Sequence, residues 1–282
     1  MSIRNAMRRR VPLKVARADA AMGPKNKVQP QRQTLLMVNT KSPLLTVDQP
    51  AQLNLYGDVK LSSHTKFGQD IASQRFDELD RSCTRFALNL LDKGRKVNRA
   101  VDLGSGKGIQ GVRLGLMGFE TVIYDIEPMP NLIEEVRKLY PLCKIKKIRT
   151  DLQNIKPEFF PQAIDICYSQ RFIHYLRFND AVLLLKKVFA NMRSGGRLFI
   201  SASGLHSEIG RAHPQHDLPA SERYARIEPA MAEKHDIYAP ICPYSETELV
   251  ELCRTSGFAL IAADTSEFGN VKAIFERSSN RK

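Results

Sequence analysis

The spacing of apolar positions changes along the chain, and each change marks an element. From Asp70 onward, Phe76, Leu79, Cys83, Phe86 and Leu90 recur at intervals of three and four. That draws one apolar stripe along a helix, which Gly94 closes. A short apolar strand, Ala100-Val101-Asp102-Leu103, comes next, and Ile109–Leu114 opens a second helix. The strand Glu120–Tyr124 ends at Asp125. Leu132, Ile133, Val136 and Leu139 return to helical spacing before Pro141, which cannot continue a helix. Strands are expected around 144–148 and over 163–168, a helix over 178–192, and a fifth strand after a turn at Gly195-Gly196. Ser245-Glu246-Thr247-Glu248 is a capping box that starts a last helix. Two strands, 258–264 and 271–276, close the chain around Glu267-Phe268-Gly269-Asn270. Strands alternating with helices predict an α/β architecture.

The first 69 residues do not share this pattern. Between Ser42 and Lys66, Leu53, Leu55, Val59 and Leu61 alternate with polar residues around Gly57-Asp58, which suggests a small hairpin within an N-terminal extension, 42–69. Residues 1–41 contain ten Lys or Arg against one acid, Asp19, so they hold +9 of the chain's net +13. Arg8-Arg9-Arg10 and polar stretches such as Gln29-Pro30-Gln31-Arg32-Gln33 cannot build a core, and the tail is expected to be disordered. Dense positive charge could bind nucleic acid. An Arg-rich, acid-poor segment could also target an organelle, and a solvated extension without a partner is as good a reading. The remaining 241 residues carry only +4, so the body is nearly balanced.

Candidate chemistry concentrates at Asp102-Leu103-Gly104-Ser105-Gly106-Lys107-Gly108, between the first strand and the second helix. Glycines at alternate positions let the backbone take positive φ and approach a ligand closely. The helix N-terminus behind them presents unpaired N–H groups. A P-loop needs Ser or Thr after its lysine, and Lys107 is followed by Gly108. The dinucleotide fingerprint occurs literally as Gly106-Lys107-Gly108-Ile109-Gln110-Gly111, but its first glycine belongs at the strand end, where Gly104 stands.

Read from Gly104, the loop resembles motif I of the class I S-adenosylmethionine (SAM)-dependent methyltransferases. The resemblance covers roughly residues 70–277 and implies a doubly wound, seven-stranded, mostly parallel sheet with a final antiparallel strand. It implies SAM as cofactor, held by Asp102, Gly104, Ser105, Gly106 and Gly108. The acidic Asp102 would face the cofactor's amino-acid part, where a dinucleotide pyrophosphate would be repelled. Asp125, at the end of the next strand, is placed to accept from ribose hydroxyls, with Ile126 beside it and Glu127 a weaker substitute. Asp151 and Leu152 resemble the pair at which the family meets the adenine amino group. From the residues alone, Asp151 could equally cap a turn toward Asn154.

The loop after the fourth strand, from Ser169 through Gln170-Arg171-Phe172-Ile173-His174-Tyr175, should face the transferred methyl group, since ligands lie at the carboxyl ends of strands in open α/β sheets. It resembles the His-Tyr loop of small-molecule methyltransferases. His174 could take a proton from a hydroxyl or amine acceptor, or could simply pack the next helix. The stretch 204–244 exceeds a minimal fold, holds four of the six histidines, and has a length that is usually functional; the resemblance implies a substrate lid here, on a methyltransferase domain spanning 70–282. His213 and His216 could be half of a metal site, but no further ligand completes it, and no metal is expected.

Five cysteines without a Cys-x-x-Cys pair suggest free thiols in a reducing compartment, and a cytoplasmic protein is expected. No apolar run approaches the roughly 20 residues of a membrane span. The expectation is a methyltransferase acting on an O or N nucleophile of a small molecule. A methyltransferase of RNA or protein recruited by the tail, and a non-catalytic SAM-binding module, are the alternatives.

Overall fold

A computed structural model of the chain describes residues 67–68, 76–128 and 132–278. The basic tail and the hairpin expected at 53–61 lie outside the described residues. Those described fall within one compact unit, 47–282.

Helix α1 spans Glu78–Asp92 and starts because Asp77 caps it: the Asp77 carboxylate accepts from Leu79 and Asp80 N–H, and Asp80 reciprocates to the Asp77 N–H. Phe76, expected within the helical stripe, stands outside the helix, with the Arg113 guanidinium 4.7 Å from its ring centroid. Strand β1 (Arg99–Leu103), helix α2 (Ile109–Leu116), strand β2 (Glu120–Asp125), helix α3 (Leu132–Leu139) and strand β3 (Ile145–Arg149) follow in turn. Strand β4 (Ile164–Gln170) runs two residues past its expected end, then helix α4 (Phe178–Asn191) leads into strand β5 (Met192–Ala202). Short helices α5 (Glu208–Arg211) and α6 (Pro229–His235) precede α7 (Glu246–Thr255), β6 (Ala259–Thr265) and β7 (Val271–Glu276).

The turn expected at Gly195-Gly196 lies inside strand β5, which already begins at Met192: Gly195 takes φ 77°, and the register against β4 jumps from Ile164 opposite Met192 to Ile166 opposite Arg197. The Arg193 Nε lies 3.0 Å from the buried Asp165 carboxylate, which holds this entry down.

The seven strands form one sheet in the order β3-β2-β1-β4-β5-β7-β6. The pairs β1–β2, β1–β4, β2–β3 and β4–β5 are parallel, and β7 is antiparallel to both β5 and β6. The doubly wound order reverses at β1 and β4, so their carboxyl ends open the crevice where α/β sheets bind ligands. One face buries Val101, Cys167, Leu198 and Phe275 with Leu185 and Val188 of α4 and Leu249 and Leu252 of α7. On the other, Leu79, Cys83, Phe86 and Leu90 of α1 pack on Ala100, Ile166, Tyr168 and Phe199. A third cluster joins Val112, Ile123, Ile133, Val136 and Ile145.

The stretch 204–244 has an apolar centre of its own, Ile209, Ile227, Ala232, Ile237 and Ile241, with Tyr175 packed against it. Among the described residues no helix is long and apolar enough to cross a membrane. All five cysteines are unpaired.

Candidate functional site

The crevice is built from the strand ends upward. Gly104, Gly106 and Gly108 all take positive φ, at 59°, 55° and 75°. Gly104 is constrained twice, since a Cβ there would run into the ring of Phe172. This contact sets the loop after β4 directly against the loop after β1. No signal in the sequence pairs position 104 with position 172.

Two buried carboxylates bracket the glycine loop. Asp102 is 3% exposed, and its Oδ2 accepts from Gly111 N–H at 2.9 Å, near the start of α2. A Cβ at Gly111 would come within 2.6 Å of Ile123, so a side chain there would have to push that buried residue aside. Asp125 is 7% exposed; its Oδ2 accepts from Gly106 N–H at 2.7 Å and its Oδ1 from Glu127 N–H at 2.8 Å. The acid at the end of β2 thus ties down the loop that follows β1. The loop is closed further by Ser105 N–H to the Tyr124 carbonyl at 3.2 Å and by Gly108 N–H to the Ser105 carbonyl at 2.9 Å. Two carboxylates at such a loop suit hydroxyl or ammonium donors and oppose a diphosphate.

The other expected residues fall into two groups. Ile126 is 42% exposed beside Asp125, an apolar surface at the crevice end of β2. Asp151 accepts from Gln153 N–H at 3.0 Å and from Asn154 Nδ2 at 2.8 Å, so it does cap the turn toward Asn154. Leu152 is buried in the core beside Leu176 and Val182. Ser169, on β4 next to Asp102's partner Tyr168, is fully buried, and its hydroxyl has no hydrogen-bond partner among the described residues.

His174 corrects the expectation of a proton acceptor. It is 1% exposed, so it presents no surface to an acceptor molecule. Its ring lies against Ser203, with Nδ1 accepting from Ser203 N–H at 3.3 Å and Nε2 3.4 Å from Ser203 Oγ. Burial first, and then the charge of Arg171, push its pKa down to about 3. A neutral ring that weakly basic packs the loop rather than receiving a proton. Three residues earlier, Arg171 holds φ 55°, a left-handed conformation that a side chain takes at a cost, right where β4 gives way to the loop.

The histidines at 213 and 216 do not converge on a metal. His213 Nε2 faces the Ile241 and Ala225 carbonyls at 3.0 and 3.3 Å, and His216 Nδ1 faces the Gly210 carbonyl at 2.9 Å. Among the described residues no group of three His, Cys, Asp or Glu is placed to hold an ion. The stretch between is held instead by Arg223, whose guanidinium is 3% exposed and meets both Glu248 oxygens at 2.9 and 3.0 Å. Sequence reading assigned no part to Asp77 or Asp80 and gave Gln170 only a place in the loop after the fourth strand, yet hydrogen bonds join the three at the β4 end of the crevice.

Comparison with known proteins agrees with this geometry. A family model described as "Methyltransferase domain" matches residues 71–263. The structure is similar to 1,6-didemethyltoxoflavin-N1-methyltransferase of Burkholderia thailandensis, solved with 1,6-didemethyltoxoflavin and S-adenosylhomocysteine bound. Identity is 14%, the match covers 74% of this chain and 82% of that one, and the TM-score is 0.51. It is similar also to a SAM-dependent methyltransferase of Methanosarcina mazei, at 18% identity over 67% of this chain and 97% of that one, TM-score 0.51. No curated protein matches the sequence.

Proposed function

Since the chain belongs to the methyltransferase-domain family, we propose that it moves a methyl group from S-adenosyl-L-methionine to an O or N nucleophile of a small-molecule acceptor. One observation carries the cofactor reading: Asp125 reaches back from β2 to the Gly106 amide, so carboxylate and glycine loop form a single preorganised surface. The cofactor would supply a methyl group made electrophilic by its attachment to a sulfonium.

The chain's own residues bind and orient. Asp125, a carboxylate at the crevice end of β2, would accept from the ribose hydroxyls. Ile126 would offer an apolar surface to the adenine. Asp102 would bring negative charge to the ammonium of the methionine part, while it keeps α2 capped through Gly111. Asp151 would reach the adenine amino group only through a second lone pair, because each oxygen already accepts one bond.

No general base is assigned. A nucleophile held in line with the methyl group needs position and desolvation more than proton removal. The bound acceptor of the Burkholderia enzyme supports a small-molecule substrate for a chain of this fold. Recruitment of RNA or protein by residues 1–41 is the competing reading, and their +9 charge is what favours it.

Two measurements test the proposal. Calorimetry should show S-adenosylhomocysteine bound and NAD bound far more weakly, with Asp125→Ala weakening the former several-fold to about a hundredfold, as about 1–3 kcal/mol of unpaired donors implies. Transfer of tritiated methyl from SAM should label a small-molecule extract rather than RNA or protein fractions presented separately. Tight NAD binding without S-adenosylhomocysteine affinity would overturn the cofactor; label confined to RNA or protein would overturn the acceptor class.

A further inference from the structure

A polar chain runs from α1 to the last residue of β4, and its hydrogens can be counted. Asp77 receives four donors: Leu79 N–H at 2.8 Å and Asp80 N–H at 3.2 Å on Oδ1, then Gln170 Nε2 at 3.0 Å and Lys272 Nζ at 2.7 Å on Oδ2. Burial alone would raise its pKa. The hydrogen bond and charge of Lys272, with the two backbone donors, outweigh that and hold it below the usual carboxylate value. Asp77 is therefore ionised and only accepts.

That orients Gln170. With its amide nitrogen turned to Asp77, its Oε1 faces the Tyr168 hydroxyl at 2.9 Å. The opposite orientation would set Oε1 against the Asp77 carboxylate with no hydrogen between them. The same Tyr168 hydroxyl lies 2.9 Å from Asp80 Oδ1. A phenol has one hydrogen to give, and here two acceptors stand at equal distance from it. If Asp80 were ionised, one of the two short oxygen–oxygen contacts would contain no proton. The count closes when Asp80 carries a proton on Oδ1, donates it to Tyr168, and Tyr168 donates to Gln170. Asp80 Oδ2 still accepts from Asp77 N–H at 2.9 Å.

We propose that Asp80 is a positioning residue that holds a proton in this arrangement and, through Tyr168, fixes Gln170 at the mouth of the loop after β4. Its bearing on catalysis rests on the methyltransferase reading; the hydrogen-bond chain itself does not. The groups facing Asp80 come from three elements: Asp77 at the α1 cap, Tyr168 on β4, and Arg113 on α2, whose Nη1 is 3.5 Å from Asp80 Oδ1 and 3.1 Å from Gln110 Oε1. Lys272 of β7 acts one step away, on Asp77. Burial is the largest influence and the Asp77 charge adds to it. The Asp77 N–H, Tyr168 and Arg113 oppose both, and the balance leaves the Asp80 pKa raised to about 6. Above that pH the proton leaves, the Tyr168 hydrogen turns to Asp80, and Gln170 Oε1 loses its donor. A raised carboxyl pKa contributes stability that is complete below the unfolded value and is lost as pH rises through the folded one.

The test is NMR on the full chain, with the Gln170 side-chain amide assigned by its loss in Gln170→Met. In the wild type, the Asp80 carboxyl carbon should titrate near the pH at which the Gln170 amide shifts, within about pH 5–8. In Asp80→Asn, whose amide donates at every pH, the Gln170 signal should stay where the wild type has it at low pH. Tyr168→Phe keeps the acid but cuts the chain, so Asp80 should still titrate and Gln170 should no longer follow it. If Asp80→Asn does not fold, the wild type and Tyr168→Phe still decide. An Asp80 titrating as an ordinary carboxyl, or a wild-type Gln170 signal that ignores pH, would overturn the proposal. S-adenosylhomocysteine added to the same samples tests the methyltransferase reading separately, since its failure to bind would leave the titration result standing.

Discussion

The glycine loop and the 204–244 stretch are both irregular backbone at the same end of one sheet, but they are ordered by different means. In the first, apart from the packing of Gly104 on Phe172, the hydrogen bonds join residues close in the chain: Gly111 to Asp102, nine positions apart, and Gly106 to Asp125, nineteen apart. In the second, the anchors lie far away. Cys242 N–H bonds to the His174 carbonyl at 2.7 Å, Tyr224 hydroxyl to the Tyr175 carbonyl at 3.1 Å, and Arg223 to Glu248 beyond the stretch. Phe67 bridges to Ile237, and Tyr175 hydroxyl bonds to the Phe67 carbonyl. A loop held by its neighbours can be a portable motif, whereas a loop held by distant partners is particular to its chain. Under the function proposed above, cofactor recognition would fall to the first kind and acceptor recognition to the second.

Breaking the first region should have the largest effect. Gly104→Val places a branched side chain at φ 59° and against Phe172. The strain and the clash together should cost at least ~3 kcal/mol, so S-adenosylhomocysteine affinity measured by calorimetry should fall more than about a hundredfold. Retained affinity would mean that the loop does not touch the cofactor.

The second region should break without taking the first with it. Arg223→Ala takes the guanidinium from the half-buried Glu248, which keeps only the Ser245 N–H, and from the Pro243 and Leu218 carbonyls. A loss of about 3 kcal/mol in chemical unfolding is expected, with S-adenosylhomocysteine affinity of the folded protein nearly unchanged. A parallel loss of affinity would show that the two regions are one cooperative unit.

His174 sharpens the comparison by a smaller amount. Its folded pKa, pushed by burial to about 3, lies below the ordinary histidine value. The stability it contributes is complete above that ordinary value and is lost as pH falls toward the folded one. Between roughly pH 6.5 and 5 the wild type should therefore lose about 2 kcal/mol more than His174→Asn. Equal pH slopes in the two proteins would place the ring in reach of solvent and reopen its role as a base.

The smallest effect is expected from deleting residues 1–41. Stability should change by less than about 0.5 kcal/mol and S-adenosylhomocysteine affinity hardly at all. Methyl transfer to a small molecule should survive, with a weak salt dependence; loss of transfer together with a steep salt slope would favour an RNA acceptor.

Local pattern was enough for the order of strands and helices, the glycine loop, and the acids at the ends of β1 and β2. Each of these is encoded by neighbours: periodic burial along an element, positive φ at alternate glycines, a carboxylate one strand away from the loop it holds. It was enough also for the reversed last strand, through two short apolar runs around Glu267-Phe268-Gly269-Asn270. The start of α1 was misjudged because Phe76 fits the helical spacing, while the Asp77 carboxylate, which ends the helix by capping it, is visible only as a hydrogen bond. The start of β5 at Met192, ahead of the bulge at Gly195-Gly196, is fixed by its pairing with Ile164 of another strand, which local spacing does not show. Burial decided His174: a ring beside Ser203 and a ring facing a crevice have the same sequence, and only enclosure separates their basicities. The chain from Asp80 through Tyr168 to Gln170 joins residues up to 90 positions apart. Spacing along the chain says nothing about such a contact, because the distance between α1 and the end of β4 is set by how the helix packs on the sheet.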